Sequence, residues 1–330
     1  MKAVGIVSGG LDSLLATRLV MEMGFDVLAL HFVIGFEPVH LRETKVLSLP
    51  ETVVRAGTNC EIVDVRREFI EVLAQPRHGY GANLNPCIDC KLLMLRCARE
   101  KMEEISAAFV FTGEVLGQRP LSQRMQALQL IAKESGLGEH LVRPLSGGLL
   151  PPTYPEKQGL IRRDQLKCIQ GRSRTAQMAL AEKLGISGYP TPAGGCLLTD
   201  PSFAKRAADL MKRRPGKTLR LNDPRLLIVG RHIVLPQGGK AVIGRREEEN
   251  DVVESFGSLG LILVAEDFPG PSTLLEGSPS PVDLDAAARL TARYGKGKSR
   301  KEVTVRITNS DGEVTLLSVP PDPPTGCQIL

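Results

Sequence analysis

Ser8-Gly9-Gly10-Leu11-Asp12-Ser13 follows the apolar run Ala3, Val4, Ile6, Val7 and precedes an apolar-periodic segment over residues 14–23. Strand, glycine turn and helix in that order leave unpaired backbone N–H groups at a helix start, where an anion is favoured. The glycines let backbone approach a phosphate closely, and Ser13 or Asp12 is placed to cap the helix. No Gly-Lys-Ser/Thr follows, so the stretch is not a Walker loop, and it lacks the Gly-x-Gly-x-x-Gly spacing. The expectation is a nucleotide-binding loop that opens an α/β domain with a doubly wound parallel sheet.

Working outward, the whole sequence of 330 residues predicts two domains, each able to bury a core. Aromatics make up only 4% and Trp is absent, but aliphatic residues are plentiful. The net charge of +5 is mild. Its distribution is more telling: Lys212-Arg213-Arg214, Arg245-Arg246 and residues 296–301 are basic clusters suited to phosphates or to a solvated face. No apolar run approaches the roughly 20 residues that span a bilayer, and the N-terminus reads as a buried strand rather than a signal peptide. Seven cysteines, an odd number without an export signal, argue against a disulfide framework and for the cytoplasm.

Residues 26–32 form a second strand pattern that ends in His31-Phe32. The carboxyl end of such a strand faces the nucleotide crevice of a doubly wound sheet, so both residues are candidates to flank adenine, the alternative being Phe32 in the core and His31 at the surface. Residues 43–57 read as a helix and 60–65 as a third strand, with Cys60 as apolar filler. A Gly- and Asn-rich loop over residues 78–86 then delivers Cys87-Ile88-Asp89-Cys90 at the start of a helix with Leu95, Ala98, Met102 and Ile105 on its apolar face. A thiolate is favoured at a helix start, and a pair at this spacing can bind a metal or cluster, carry sulfur, or cycle as a dithiol. Cys97, further along the same helix, reads as packing.

Residues 109–112 form the next strand, a helix covers 122–135, and Arg143-Pro144-Leu145 follows a short apolar run. Here the blocks Thr112-Gly113-Glu114, Gly117-Gln118, Ser122-Gln123 and Arg143-Pro144-Leu145 join the hexapeptide at Ser8. Together with Cys87-x-x-Cys90-Lys91 they resemble the tRNA 4-thiouridine synthetases (ThiI type) of the PP-loop ATP pyrophosphatases. Asn85-Pro86-Cys87 is also similar to the tRNA 2-thiouridylases that act on the anticodon. The resemblance covers about residues 3–145. Two features depart from it: no stretch corresponds to a THUMP or rhodanese domain, and one extra residue lies between Arg119 and Ser122.

The resemblance implies a PP-loop fold (adenine nucleotide alpha hydrolase-like) that binds ATP and Mg²⁺ and cleaves ATP between its α and β phosphates. The residues it assigns to the nucleotide are Val7, Ser8, Gly9, Gly10, Asp12, Ser13, His31, Phe32, Lys91, Gly113 and Gln123. Asp12 would orient Mg²⁺ or a phosphate, and Gly113 would give a close approach on the other side of the site. The reaction implied is adenylation of a uridine carbonyl in tRNA followed by displacement of AMP with sulfur.

Further on, residues 146–177 are irregular and basic, with Gly171-Arg172-Ser173-Arg174 ahead of a helix over 175–184. Tyr189-Pro190-Thr191-Pro192-Ala193-Gly194-Gly195 then leads to Cys196, a third partner for Cys87 and Cys90, with Cys168 in reserve. Three thiolates suggest a [4Fe-4S] cluster with one open iron that would hold a sulfide. In the rival reading Cys90 carries a persulfide that Cys196 resolves. The catalytic set is thus Asp12, Cys90 and Cys196. The sulfur donor is sulfide or a cysteine desulfurase, no membrane is involved, and a homodimer stays open.

A helix over 198–212 and Arg213-Arg214-Pro215-Gly216 place the domain boundary at 214/215. Residues 215–330 read as a smaller α/β domain with strands at 226–229, 233–235, 240–243, 261–265, 303–308 and 314–319 and a helix over 282–293. Ile243-Gly244-Arg245-Arg246-Glu247 through Asn250-Asp251 is similar to the NFACT-R-type RNA-associated domains, which implies an RNA-facing role. Cys327 lies in a Pro-rich tail that reads as unstructured. The competing functions are 2-thiouridine formation through a persulfide and a non-catalytic RNA-binding protein.

Overall fold

A computed structural model describes residues 1–36, 52, 57–189, 196–214, 216, 218–322 and 324–330. The helix expected over 43–57 and the residues 190–195 before Cys196 lie almost wholly outside these. The described residues form two compact units that divide between Thr199 and Asp200. The helix expected to close the first domain packs with the second, so the Arg-Arg-Pro-Gly run at 213–216 follows that helix instead of marking the break.

The first unit holds a parallel sheet built from β1 (Lys2–Ile6), β2 (Asp26–Val33), β3 (Asn59–Asp64), β4 (Val110–Thr112) and β5 (Leu141–Val142) in the order β3-β2-β1-β4-β5. Its helices are α1 (Leu11–Glu22), α2 (Arg66–Ala74), α3 (Cys87–Glu104), α4 (Met125–Glu134), the single turn α5 (Tyr154–Lys157) and α6 (Thr175–Lys183). Strand alternation sorts the core into two layers. Ala3, Val27 and Phe111 face one side and share a cluster with Leu11, Leu15 and Leu19 of α1 and Ala181 of α6. Val4, Leu30 and Val110 face the other and pack with Leu92, Leu95 and Ala98 of α3 and Ile131 of α4. Helices on both faces of an all-parallel sheet make it doubly wound. The chain runs outward one way from β1 to β3 and the other way from β4 to β5. The reversal therefore lies between β1 and β4, where such sheets bind ligands at their carboxyl ends.

In the second unit α7 (Pro201–Arg213), α8 (Asp223–Leu227), α9 (Glu247–Glu254) and α10 (Pro281–Tyr294) surround a seven-stranded sheet. Its strands are β6 (Arg231–Val234), β7 (Lys240–Ile243), β8 (Gly260–Ala265), β9 (Thr273–Glu276), β10 (Val303–Thr308), β11 (Val314–Val319) and β12 (Gln328–Ile329), in the order β11-β10-β8-β9-β7-β6-β12. All its recorded pairings are antiparallel. The alanine-rich face of α10 (Ala286, Ala287, Leu290) covers one side, and Leu226 of α8 with Val252 and Val253 of α9 covers the other.

Two expectations fail here. Leu226 and Leu227, read as strand, are helical, because Asn222-Asp223-Pro224 starts a helix with proline in its first turn. Cys327 is not in a loose tail: it packs partly buried against the core, and β12 pairs with β6 next to it.

Candidate nucleotide and thiol site

The site grows from the register of β1 and β4. Ile6 lies opposite Thr112, so the two strands end side by side and release their loops together. Val7 extends the β1 pairing, its N–H donating to Leu30 O at 2.9 Å, and its own carbonyl accepts from His31 Nδ1 at 2.9 Å. A carbonyl only accepts, so Nδ1 carries a proton and donates to it. His31 thus sits at the loop, whereas Phe32, on the opposite strand face, is buried in the core beside Leu92. Phe32 is therefore a packing residue, as strand alternation requires.

Gly9 turns the chain with φ +79°, and its carbonyl accepts from Thr52 Oγ1 at 3.0 Å. Ser8 is exposed. Gly10, not a side chain, occupies the N-cap of α1, and Ser13 Oγ donates backwards to Gly10 O at 2.8 Å. The expected cap by Ser13 or Asp12 is absent. A glycine N-cap leaves the first N–H groups of α1 for a ligand, which suits an oxyanion.

From the β4 side, Gly113 meets this turn backbone to backbone. A Cβ on it would stand 2.6 Å from Asp12 C, Asp12 O and Ser13 N, inside any real contact distance. Only glycine fits there. Gln118 Nε2 donates to Asp12 Oδ2 at 2.9 Å, and Asp12 Oδ1 is buried without a hydrogen-bond partner. One carboxylate oxygen is thus fixed and the other remains for a cation or a donor. The turn that carries Gln118 is itself pinned: Leu116 N donates to Ser146 Oγ at 2.9 Å, Ser146 Oγ donates to Ile169 O at 2.6 Å, and Gly117 N donates to Gln123 O at 2.7 Å. Gln123 contributes its backbone here. Its buried side-chain Oε1 has no partner.

Beneath the loops lies a charged core. Glu114 is 5% exposed and binds Lys91 Nζ, Arg143 Nε at 2.8 Å and Thr112 Oγ1 at 3.2 Å. Burial alone would raise its carboxyl, but the Lys91 and Arg143 charges outweigh burial and hold it at about 2. Lys91, assigned by resemblance to the nucleotide, is engaged by this carboxylate. A cavity of about 390 Å³ is lined by Leu128, Leu141, Arg143, Leu150 and Leu166 and by none of Ser8–Ser13.

The thiols stand on a separate framework. Cys87 is the first residue of α3, and Cys90 N donates to Pro86 O at 2.9 Å. Asp89, between them, is buried and accepts from His78 N and His78 Nδ1, both at 3.0 Å. Glu134 Oε1 approaches His78 Nε2 at 3.4 Å. The hydrogen bond to Asp89, helped by Glu134, raises the His78 pKa. The segment bearing Cys196 is tied to the same loop, Asn83 Nδ2 donating to Thr199 O at 2.8 Å and Leu84 N to Leu198 O at 3.2 Å. Even so, no group of three or more Cys, His, Asp or Glu residues among the described ones is arranged to hold a metal ion. Of the three cysteines expected to hold a cluster, Cys87 and Cys90 lie in the first turn of α3 and Cys196 on the segment tied to the loop before it. Cys168, held in reserve, is exposed outside any helix or strand, beside Gly148. Burial raises the thiols of Cys60 and Cys97, in keeping with packing.

The sequence pointed to Ser8–Ser13, Gly113 and the cysteines but singled out neither Gln118, Glu114 nor Arg143 as site residues. Their presence in the same recurring blocks was the available signal.

Fold and site together define a doubly wound α/β domain with a glycine loop at the carboxyl end of β1, followed by a smaller antiparallel-sheet domain. Residues 1–148 match the family model described as thiamine biosynthesis protein (ThiI), and residues 230–326 match the one described as NFACT protein RNA binding domain. A probable tRNA sulfurtransferase of Thermococcus kodakarensis is 27% identical over 146 residues, 44% of this chain and 37% of that protein. The tRNA-specific 2-thiouridylase MnmA of Desulfosudis oleivorans is 35% identical over 88 residues, 26% of this chain and 24% of that protein. The chain thus spans well under half the length of these relatives. A 4-thiouridine synthetase–RNA complex with bound ATP is 20% identical, with 56% of this chain and 51% of that one covered and a TM-score of 0.33, too low to bear on the site. Among the described residues no helix is long and apolar enough to cross a membrane.

Proposed function

We propose that this chain is an ATP-dependent tRNA uridine thiolase, with 4-thiouridine as product. The observation that carries the reading is the contact of Gly113 with Asp12 and Ser13, which closes the β1 and β4 loops into one phosphate-binding mouth. The similarity of residues 1–148 to the ThiI model and the tRNA sulfurtransferase relatives supply the substrate class.

The uridine carbonyl oxygen attacks the α-phosphorus of ATP and pyrophosphate leaves from the N–H groups of the Ser8–Ser13 loop. Asp12 Oδ1, buried and unpartnered, fits Mg²⁺, which would neutralise charge on the leaving phosphates. A sulfur nucleophile then attacks the ring carbon, the C–O bond breaks, and AMP departs. Cys90 and Cys196 are the residues we assign to sulfur delivery. The second unit, with its match to an RNA-binding domain, is proposed to grip the tRNA.

Incubation with tRNA, ATP, Mg²⁺, and a cysteine desulfurase with cysteine and a thiol reductant, with sulfide alone in parallel, read by nucleoside mass spectrometry, tests this. The expected result is 4-thiouridine together with AMP and pyrophosphate; 2-thiouridine would favour the MnmA-like reading. Asp12→Ala should lower pyrophosphate release at least about 100-fold with an unchanged melting curve. Full activity in that variant would refute the loop assignment.

A further inference from the structure

The ThiI match ends at residue 148, yet the chain that follows returns to the site. Gln170 forms an isolated parallel bridge with Leu116, and Gly171 N donates to Leu116 O at 2.7 Å. A Cβ on Gly117 would lie 3.5 Å from Gly171 N. Gly171-Arg172-Ser173-Arg174 therefore runs beside the same turn whose Gln118 holds Asp12. It ends at the start of α6, a nine-residue helix whose Ala181 shares the core with Leu11 and Leu15 of α1.

Three features coincide at that helix start. Arg172 is exposed and Arg174 half-buried; neither forms an ion pair among the described residues, and the Arg174 Nε atom is buried without a hydrogen-bond partner. Gln177, third residue of the helix, is 0% exposed, and both its Oε1 and its Nε2 lack partners. Helical side chains tilt toward the N-terminus, so an amide in the first turn is directed at the helix start. Ser173 Oγ accepts from Thr175 N at 3.3 Å and lies 2.8 Å from Thr175 Oγ1, so one N–H of this turn is already engaged. A buried amide with nothing to bond is destabilising, and a bound acceptor removes that cost.

We propose that the start of α6, with Arg172, Arg174 and Gln177, binds a backbone phosphate of the RNA substrate. The proposal rests on the thiolase reading. Arginine forks match phosphate oxygens, and the helix dipole favours the same charge. ATP already has its own phosphate loop in Ser8–Ser13, so the second anion site belongs to the other polyanion of the reaction. A phosphate held there sets the RNA strand against the Gln118–Asp12 turn, where the nucleotide lies.

The test uses the full chain and unmodified tRNA, with affinity measured across a salt series and ATP affinity measured in parallel. Arg172→Ala/Arg174→Ala should weaken tRNA binding about tenfold and reduce the slope of log K against log salt by about 0.9 for one lost phosphate. ATP affinity should not change. Gln177→Leu should also weaken tRNA binding while keeping or raising the melting temperature, because a merely structural glutamine would destabilise when lost. Weakened ATP binding with tRNA affinity intact would overturn the assignment, as would no change in either. If the wild-type chain bound no tRNA, the thiolase reading would fail; protection of the amides of residues 174–177 by inorganic phosphate, lost in the double variant, would still uphold an anion site. Absence of that protection would dismiss it.

Discussion

The loop after β1 and the loop before α3 sit in one unit and are held by different means. The first is fixed by volume and by buried charge: Gly113 against Asp12, Gln118 on its carboxylate, Ser146 behind the turn, and Glu114 between Lys91 and Arg143 below. The second is held by hydrogen bonds: a histidine between two carboxylates, Tyr80 O–H on Leu73 O, Gly81 N–H on Asn85 O, and two bonds to the segment that carries Cys196. A phosphate loop works by being in place before the ligand arrives, since each donor must already point at developing charge. In the proposed reaction a thiol must meet a sulfur donor and the RNA in turn, and a loop tied by hydrogen bonds alone suits that task. Lys91 belongs to both regions: it lies on the cysteine helix and reaches the carboxylate under the phosphate loop.

The sharpest way to break this contrast is at the thiols. Cys90→Ala and Cys196→Ala should each abolish thiolation while pyrophosphate release from ATP persists, which would separate the two regions functionally. Anaerobic reconstitution with iron and sulfide reads the cluster directly. A broad brown absorption lost in Cys87→Ala, Cys90→Ala and Cys196→Ala alike would show that the three thiols converge in solution. A colourless protein that still thiolates would leave the persulfide path.

Next in size is the charged core. Glu114→Gln leaves Lys91 and Arg143 without their counter-charge, and should cost about 3–5 kcal/mol in urea unfolding, against little for an exposed carboxylate. The Glu114 carboxyl is held at about 2, below its ordinary value. Its contribution is therefore complete above the ordinary carboxylate range and is lost as pH falls toward 2. Wild type should lose stability through that window more steeply than Glu114→Gln; parallel curves would show that the carboxylate is not the keystone proposed.

The smallest effect is expected at His78. Its pKa is raised by Asp89, so the ion pair contributes fully below the ordinary histidine value and fades as pH climbs through the raised one. His78→Gln should lower stability by no more than about 1 kcal/mol at pH 6 and by less at pH 8.5. An equal loss at both values would mean that the imidazole only packs.

Much of this could be read before any coordinates. The strands at 303–308 and 314–319 fell where hydrophobic alternation put them, as did the parallel strands around Ser8, because their patterns are local. Leu226 and Leu227 misled because a short apolar run fits strand or helix alike, and Pro224 decided it. Phe32 allowed both an adenine-facing and a core reading, and its side chain lies in the core. Strand β9 went unread, since Thr273–Glu276 offers four residues buried almost throughout and no alternation. In the site, the glycines and the hexapeptide were legible, being constraints the backbone imposes on its own sequence. Gln118 and Ser146 were not, because a hydrogen bond across more than a hundred residues, or between β4 and β5, leaves no periodic trace.

Gly113 also bears on how this protein tolerates change. Its backbone angles are not of the kind reserved to glycine, and sequence propensity alone would allow alanine or serine there. What forbids them is the main chain of Asp12 and Ser13 at 2.6 Å, which no rotamer adjustment relieves. In a library of all single substitutions, position 113 should therefore be depleted of every variant, alanine as thoroughly as tryptophan. A surface loop in the same library would show a graded response to side-chain size.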